Sequence, residues 1–181
     1  MSPPPSLIPT LIALSSPEYQ RVLAWPFADA PFYVAQVRRL LTDHLPKRFH
    51  QRTSCTLWLY RDGDGAEVGF GSLDLCSEYP ELTGGLPHSY IPVLGVNPTY
   101  GGKGFGGRIV EHLIAEADTG RPPHSPVSDR LFLDVYTANA RAIGLYEKFG
   151  FVALTDPGDF TDSDENGEPY LVMAKLLPPT A

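Results

Sequence analysis

The chain has 181 residues, 43% hydrophobic and 19% charged, with 21 acidic against 14 basic side chains and a net charge of −7. A chain of this length buries roughly 70% of its unfolded surface, enough for one hydrophobic core, which argues against a fibrous or disordered protein. The acidic balance offers no broad basic surface to duplex nucleic acid, and no stretch reaches the ~18 uninterrupted apolar residues of a membrane span, so a cytoplasmic protein is expected.

Residues 1–10 are proline-rich, and Pro178-Pro179-Thr180-Ala181 cannot continue a ladder. Residues 1–17 therefore read as a tail or first short strand, 18–177 as one domain, and 178–181 as a second tail. Met1-Ser2-Pro3-Pro4-Pro5 lacks the positive region and apolar run of a signal peptide. Cys55 and Cys76 match no zinc or redox spacing and are expected to stay thiols. From Pro17 to Pro46 the apolar spacing predicts two helices with a break at Pro26 to Pro31. Thr56 to Tyr60 reads as a strand, Asp62-Gly63-Asp64-Gly65 as a turn and Val68 to Leu75 as its hairpin partner, with a loop over 77–88.

Ser89 to Val96 reads as a third strand in which Pro92 removes one ladder donor and implies a bulge or an unpaired side. Phe105, Ile109, Val110, Leu113, Ile114 and Ala117 mark one face of a helix ending near Gly120. Leu131 to Val135 is a strand, Asn139 caps a helix from Ala140 to Phe149, and Gly150 stops it. Phe151 to Leu154 and Tyr170 to Ala174 form a final hairpin around an acidic loop. Runs of strands with two late crossovers predict an α/β fold of the α+β type: a central, mostly antiparallel mixed sheet with helices on both faces.

The informative segment is Gly101-Gly102-Lys103-Gly104-Phe105-Gly106-Gly107, set between a strand and a helix and five-sevenths glycine. Backbone that curls around an anion needs positive φ and close approach, which glycine permits, and the next helix adds unsatisfied N–H groups and a positive dipole end. Lys103 and Arg108 are nearby cations. A Walker A loop would need Gly at 97 and Ser or Thr after the lysine, where the chain has Asn97 and Gly104. Gly102, Gly104 and Gly107 satisfy G-x-G-x-x-G, but a dinucleotide fold opens with that motif, whereas three strands precede it here. A phosphate-bearing cofactor is the reading retained.

Taken in order, Leu94-Gly95-Val96-Asn97-Pro98, Gly101-Gly102-Lys103-Gly104-Phe105-Gly106, Asn139 and Leu145-Tyr146-Glu147-Lys148-Phe149-Gly150-Phe151 resemble the two signature motifs of the GNAT acetyltransferase superfamily. Gly101 departs from the pattern, standing where that family usually carries Gln or Arg. The resemblance implies acetyl-CoA as cosubstrate in a splayed opening between the strands ending at Val96 and near Val135. It implies Leu94, Gly95, Val96, the turn 101–107 and Asn139 as cofactor contacts, with backbone groups of Leu94 and Val96 on the pantetheine amides. It also implies Tyr146 as the general acid for the departing thiolate. Neither cysteine lies in a motif, so direct transfer to an amine is expected rather than an acetyl-enzyme.

The general base is left among His88, Tyr90 and Asp74. His88, Tyr90 and Leu94 share one strand face if no bulge intervenes. Asp162-Ser163-Asp164-Glu165-Asn166-Gly167 copies the opening of a calcium loop, but its twelfth position is Met173 and its flanks read as strands, so no metal is expected. Six acids between Asp156 and Glu168 would favour a cationic acceptor. The acceptor class, a small-molecule or peptide amine, stays open, as does a homodimer. Readings from other classes are a non-catalytic acyl-CoA-binding or regulatory module and a nicotinamide oxidoreductase.

Overall fold

The computed structural model describes residues 6–27, 37–51, 54–76, 80–120, 129–154, 162–163 and 167–178. The chain divides into two compact units, one of residues 1–74 and 93–113 and one of residues 75–92 and 114–181.

The first unit opens with β1 (Ile8–Leu11), which pairs antiparallel with β2 (Thr56–Arg61). The proline-rich start is thus an edge strand over these four residues, where proline is tolerated because Pro9 owes no donor to a second neighbour. Helix α1 (Pro17–Leu23) has Ser16 as its cap, accepting from Tyr19 N–H at 3.2 Å, and Pro17 where a missing N–H costs nothing. Its buried face, Tyr19 and Val22, meets Trp25, Phe27, Leu57, Leu59 and Phe70 in the core. Trp25, Phe27 and Phe70 pack with ring centroids about 6 Å apart.

The second predicted helix does not stop at Pro46. A π-turn (Leu40–His44) runs directly into α2 (Leu45–Gln51), and Leu45 N–H bonds the carbonyl of Leu40 five residues back. Proline has no N–H, and its ring clashes with the carbonyl four residues earlier in an α-ladder; the wider turn just before Pro46 relieves that crowding. The predicted break at Pro26 to Pro31 falls mostly outside the described residues.

The hairpin of β2 with β3 (Glu67–Cys76) follows the expected turn, with Gly65 at φ 84° and Asp62 Oδ1 accepting from the N–H groups of Asp64 and Ala66. The predicted loop over 77–88 contains a single helical turn, α3 (Pro80–Thr83).

The predicted single strand over 89–96 is two strands. β4 (His88–Ile91) belongs to the second unit, whereas β5 (Leu94–Val96) pairs antiparallel with β3 in the first. Pro92, which cannot donate to a ladder, marks the change of partner. Helix α4 (Phe105–Thr119) follows the glycine turn. Ile109 and Leu113, one turn apart on α4, rest on Gly69 and Gly71 of β3. A Cβ at Gly69 would lie 2.4 Å from Ile109 Cδ1 and 2.9 Å from the Gly95 carbonyl oxygen. The isoleucine can rotate but the carbonyl cannot, so Gly69→Ala is expected to lower stability by about 1–3 kcal/mol, read as a lower urea midpoint.

In the second unit β4 runs parallel to β6 (Arg130–Tyr136), and β6 pairs antiparallel with β9 (Pro169–Leu176). β7 (Val152–Ala153) and β8 (Asp162–Ser163) also pair with β9. The predicted closing hairpin is therefore present, with a short extra strand taken from the acidic loop. Tyr90, Phe132, Val172 and Ala174 form the unit's core cluster. The strands are mixed and mostly antiparallel, with β4 and β6 the parallel pair joined through α4, as the order of elements predicted. Helix α5 (Ala140–Lys148) is capped by Asn139 and ends before Gly150, whose φ is 82°.

Candidate functional site

The turn after β5 begins at Asn97, and a short 3₁₀ turn (Pro98–Tyr100) leads into the glycines. Gly102 and Gly104 have φ of 78° and 86°, which side-chain-bearing residues rarely adopt. Gly101 has φ −57° and ψ 147°, an ordinary extended conformation, so its lack of a side chain is not a backbone requirement. Gly106 and Gly107 lie in the first turn of α4. The residue before a helix is usually Ser, Thr, Asp or Asn, whose oxygen occupies the first N–H groups; Gly104, before Phe105, has no such oxygen to offer them. Lys103 Nζ lies 4.9 Å from the centre of the Tyr100 ring, and Arg108 Nη1 pairs with Glu111.

The hydrogen bonds of β5 show where its remaining backbone groups point. Ser72 N–H donates to the Val93 carbonyl and Asn97 N–H to the Val68 carbonyl, each at 2.9 Å. Residues 93, 95 and 97 thus turn their backbone groups toward β3, and antiparallel alternation directs the N–H and C=O of Leu94 and Val96 to the opposite edge. Gly95 sits beneath the Phe70 ring, where a Cβ would come within 2.7 Å of Cε1.

On α5, Asn139 Oδ1 accepts from Ala142 N–H at 3.1 Å. Tyr146, about two turns further on, is 8% exposed and packs against Phe151 at 5.9 Å between ring centres. Burial pushes its phenol up to about 12, so it is a protonated donor across the physiological range.

The three base candidates occupy different environments. Asp74 is fully buried, accepting from Ser54 Oγ at 2.7 Å and paired with Arg48 Nη1 at 3.3 Å. His88 is fully buried with its ring 4.6 Å from that of Phe132. Tyr90 donates its hydroxyl to Asp134 Oδ2 at 2.7 Å. Leu94 does not share a strand with His88 and Tyr90, because the strand divides between them. Sequence reasoning passed over Asp134, although a lone carboxylate in Leu-Phe-Leu-Asp-Val was a readable signal. Among the described residues no group of three or more His, Cys, Asp or Glu is arranged to hold a metal. Residues 164–166 of the calcium-like loop lie outside the described residues. No described helix is long and apolar enough to cross a membrane.

The first unit thus presents a short strand with one edge of its backbone turned away from its sheet partner, followed by a glycine turn and a helix preceded by glycine, within an α/β fold. The acetyltransferase (GNAT) family matches residues 16–151, and the chain belongs to that family. It is 33% identical over 81 residues to the [ribosomal protein bS18]-alanine N-acetyltransferase of Salmonella typhimurium, covering 45% of this chain and 51% of that relative. The match thus spans about half the length of that relative. The fold is similar to the ribosomal-protein-S18-alanine N-acetyltransferase of Escherichia coli, with TM-score 0.59, 18% identity and coverage of 96% and 97% of the two chains. It is also similar to the spermidine N-acetyltransferase of Vibrio cholerae in complex with CoA and spermine, with TM-score 0.59, 16% identity and coverage of 93% and 95%.

Proposed function

We propose that this protein transfers an acetyl group from acetyl-CoA directly to an amine of a small molecule or peptide, in the cytoplasm. The observation that carries the reading is the backbone of β5: Leu94 and Val96 direct their N–H and C=O groups away from β3, one donor and acceptor set per residue for the amides of a pantetheine arm. The uncapped start of α4 and the glycine turn 101–107 supply N–H groups for a pyrophosphate, with Lys103 as the adjacent cation. Asn139 adds an amide at the start of α5, where the family motif has its second cofactor contact.

When bound, acetyl-CoA supplies an already activated thioester carbonyl. The protein then has to align the amine, stabilise developing negative charge with a backbone N–H and move protons. Tyr146, held protonated by burial, is the acid that donates to the departing thiolate. Tyr90 passes the amine's proton to the Asp134 carboxylate with which it is hydrogen-bonded. This pair is preferred over Asp74, whose carboxylate is buried and engaged by Arg48 and Ser54. The acceptors named for the similar proteins, a ribosomal-protein alanine and spermidine, both present a primary amine, and that class is the one proposed here.

Calorimetric titration of the purified protein with acetyl-CoA, CoA, NAD and ATP tests the cosubstrate. Saturable binding of acetyl-CoA and CoA, with no competition from NAD, is the expected result. Binding of NAD alone would overturn the assignment, and CoA binding without turnover across a panel of primary amines would favour a non-catalytic module.

A further inference from the structure

We propose that Asn97 is a positioning residue that pre-sets the glycine turn for the pyrophosphate of acetyl-CoA; the inference rests on the cosubstrate assignment above. Every polar group of Asn97 is engaged, and the residue is 8% exposed. Its N–H donates to the Val68 carbonyl at 2.9 Å, and its own carbonyl accepts from Tyr100 N–H at 2.8 Å. The side chain works in two directions. Nδ2 donates to the Glu67 carbonyl at 3.0 Å, anchoring the end of β5 to the start of β3. Oδ1 accepts from Thr99 N–H at 3.1 Å, closing the 3₁₀ turn that delivers the chain to Gly101.

The physical need for such an anchor comes from the glycines. A segment with glycine at 101, 102 and 104 has a wide choice of backbone states, and ordering it around an anion has a large entropic cost unless the ends are already held. The far end is held by Phe105, which is buried and packs edge-on against Tyr100 with ring centres 6.3 Å apart. The near end has Asn97. Its anchor point is itself fixed, because the Glu67 side chain receives Arg21 Nη2 at 2.7 Å and Arg61 Nη2 at 3.2 Å. Without Asn97 the turn keeps its glycines and donors but loses the geometry set before the ligand arrives, so the cost of ordering moves to the binding step.

The test compares wild type, Asn97→Ala and Asn97→Ser by calorimetry with CoA, together with the thermal midpoint of each unliganded protein. Alanine removes both side-chain bonds. Serine keeps an oxygen for Thr99 N–H but is too short to reach the Glu67 carbonyl, and it carries the same comparison if the alanine variant does not fold. The expected result is a Kd for CoA raised about tenfold in Asn97→Ala, with a more unfavourable binding entropy and partial recovery in Asn97→Ser. A lowered midpoint with Kd within about twofold of wild type in the folded variants would reduce Asn97 to a stability residue and overturn the proposal. Failure of the wild-type protein to bind CoA would overturn the cosubstrate assignment instead, and is distinguished by appearing before any variant is compared.

Discussion

Tyr146→Phe is expected to lower kcat about a hundredfold while leaving the Kd for acetyl-CoA unchanged, since general acid catalysis contributes at least that factor and the phenyl ring preserves the packing against Phe151. The sign of the pH dependence follows from burial. Desolvation disfavours the phenolate and raises the phenol to about 12, so Tyr146 keeps its proton as pH rises through the ordinary tyrosine value of 10. The wild-type rate should therefore show no alkaline decline from loss of this proton below about pH 10. Steady-state kinetics with any accepted amine, paired with calorimetry, checks both statements. An equal kcat in the two proteins would remove Tyr146 from the chemistry and leave it an aromatic of the α5 face.

Arg48→Met is expected to destabilise the protein by about 3 kcal/mol, because it takes the cation away from a carboxylate that is completely out of solvent. Asp74 would keep the Ser54 hydroxyl and its other contacts, but a neutral hydroxyl does not replace the charge of Arg48 in a low-dielectric interior. The double variant Arg48→Met with Asp74→Asn should recover most of the loss, since it removes the buried charge along with its partner. Chemical unfolding of the two variants and wild type measures this directly. A single variant as stable as wild type would show that Asp74 does not depend on Arg48, and would return Asp74 to the group of candidate bases.

The fold class and the second family motif were legible because their signals are local. Asn139 caps α5 through a bond three residues long, and Gly150 stops it through a positive φ that glycine adopts without strain. The glycine turn, the helix after it and the β2–β3 hairpin were likewise readable from spacing and turn residues, since each depends on neighbours only a few positions away. Proline was the least reliable guide. Pro46 sits inside a helix because a π-turn precedes it, and Pro92, expected to mark a bulge or an unpaired side, divides one apparent strand between two partners.

By itself, then, the sequence determined the main helices and strands, where the glycine turn lies and which family motifs flank it. All of these follow from backbone preferences and short-range hydrogen bonds. Tertiary structure alone decided what the buried polar side chains do. Asp74 meets Arg48 across 26 residues, Tyr90 meets Asp134 across 44, and Asn97 reaches Glu67 across 30. A carboxylate or hydroxyl has no fixed role until folding brings it a partner and removes water, because its charge, proton and hydrogen bonds are set by that environment rather than by its neighbours in the chain.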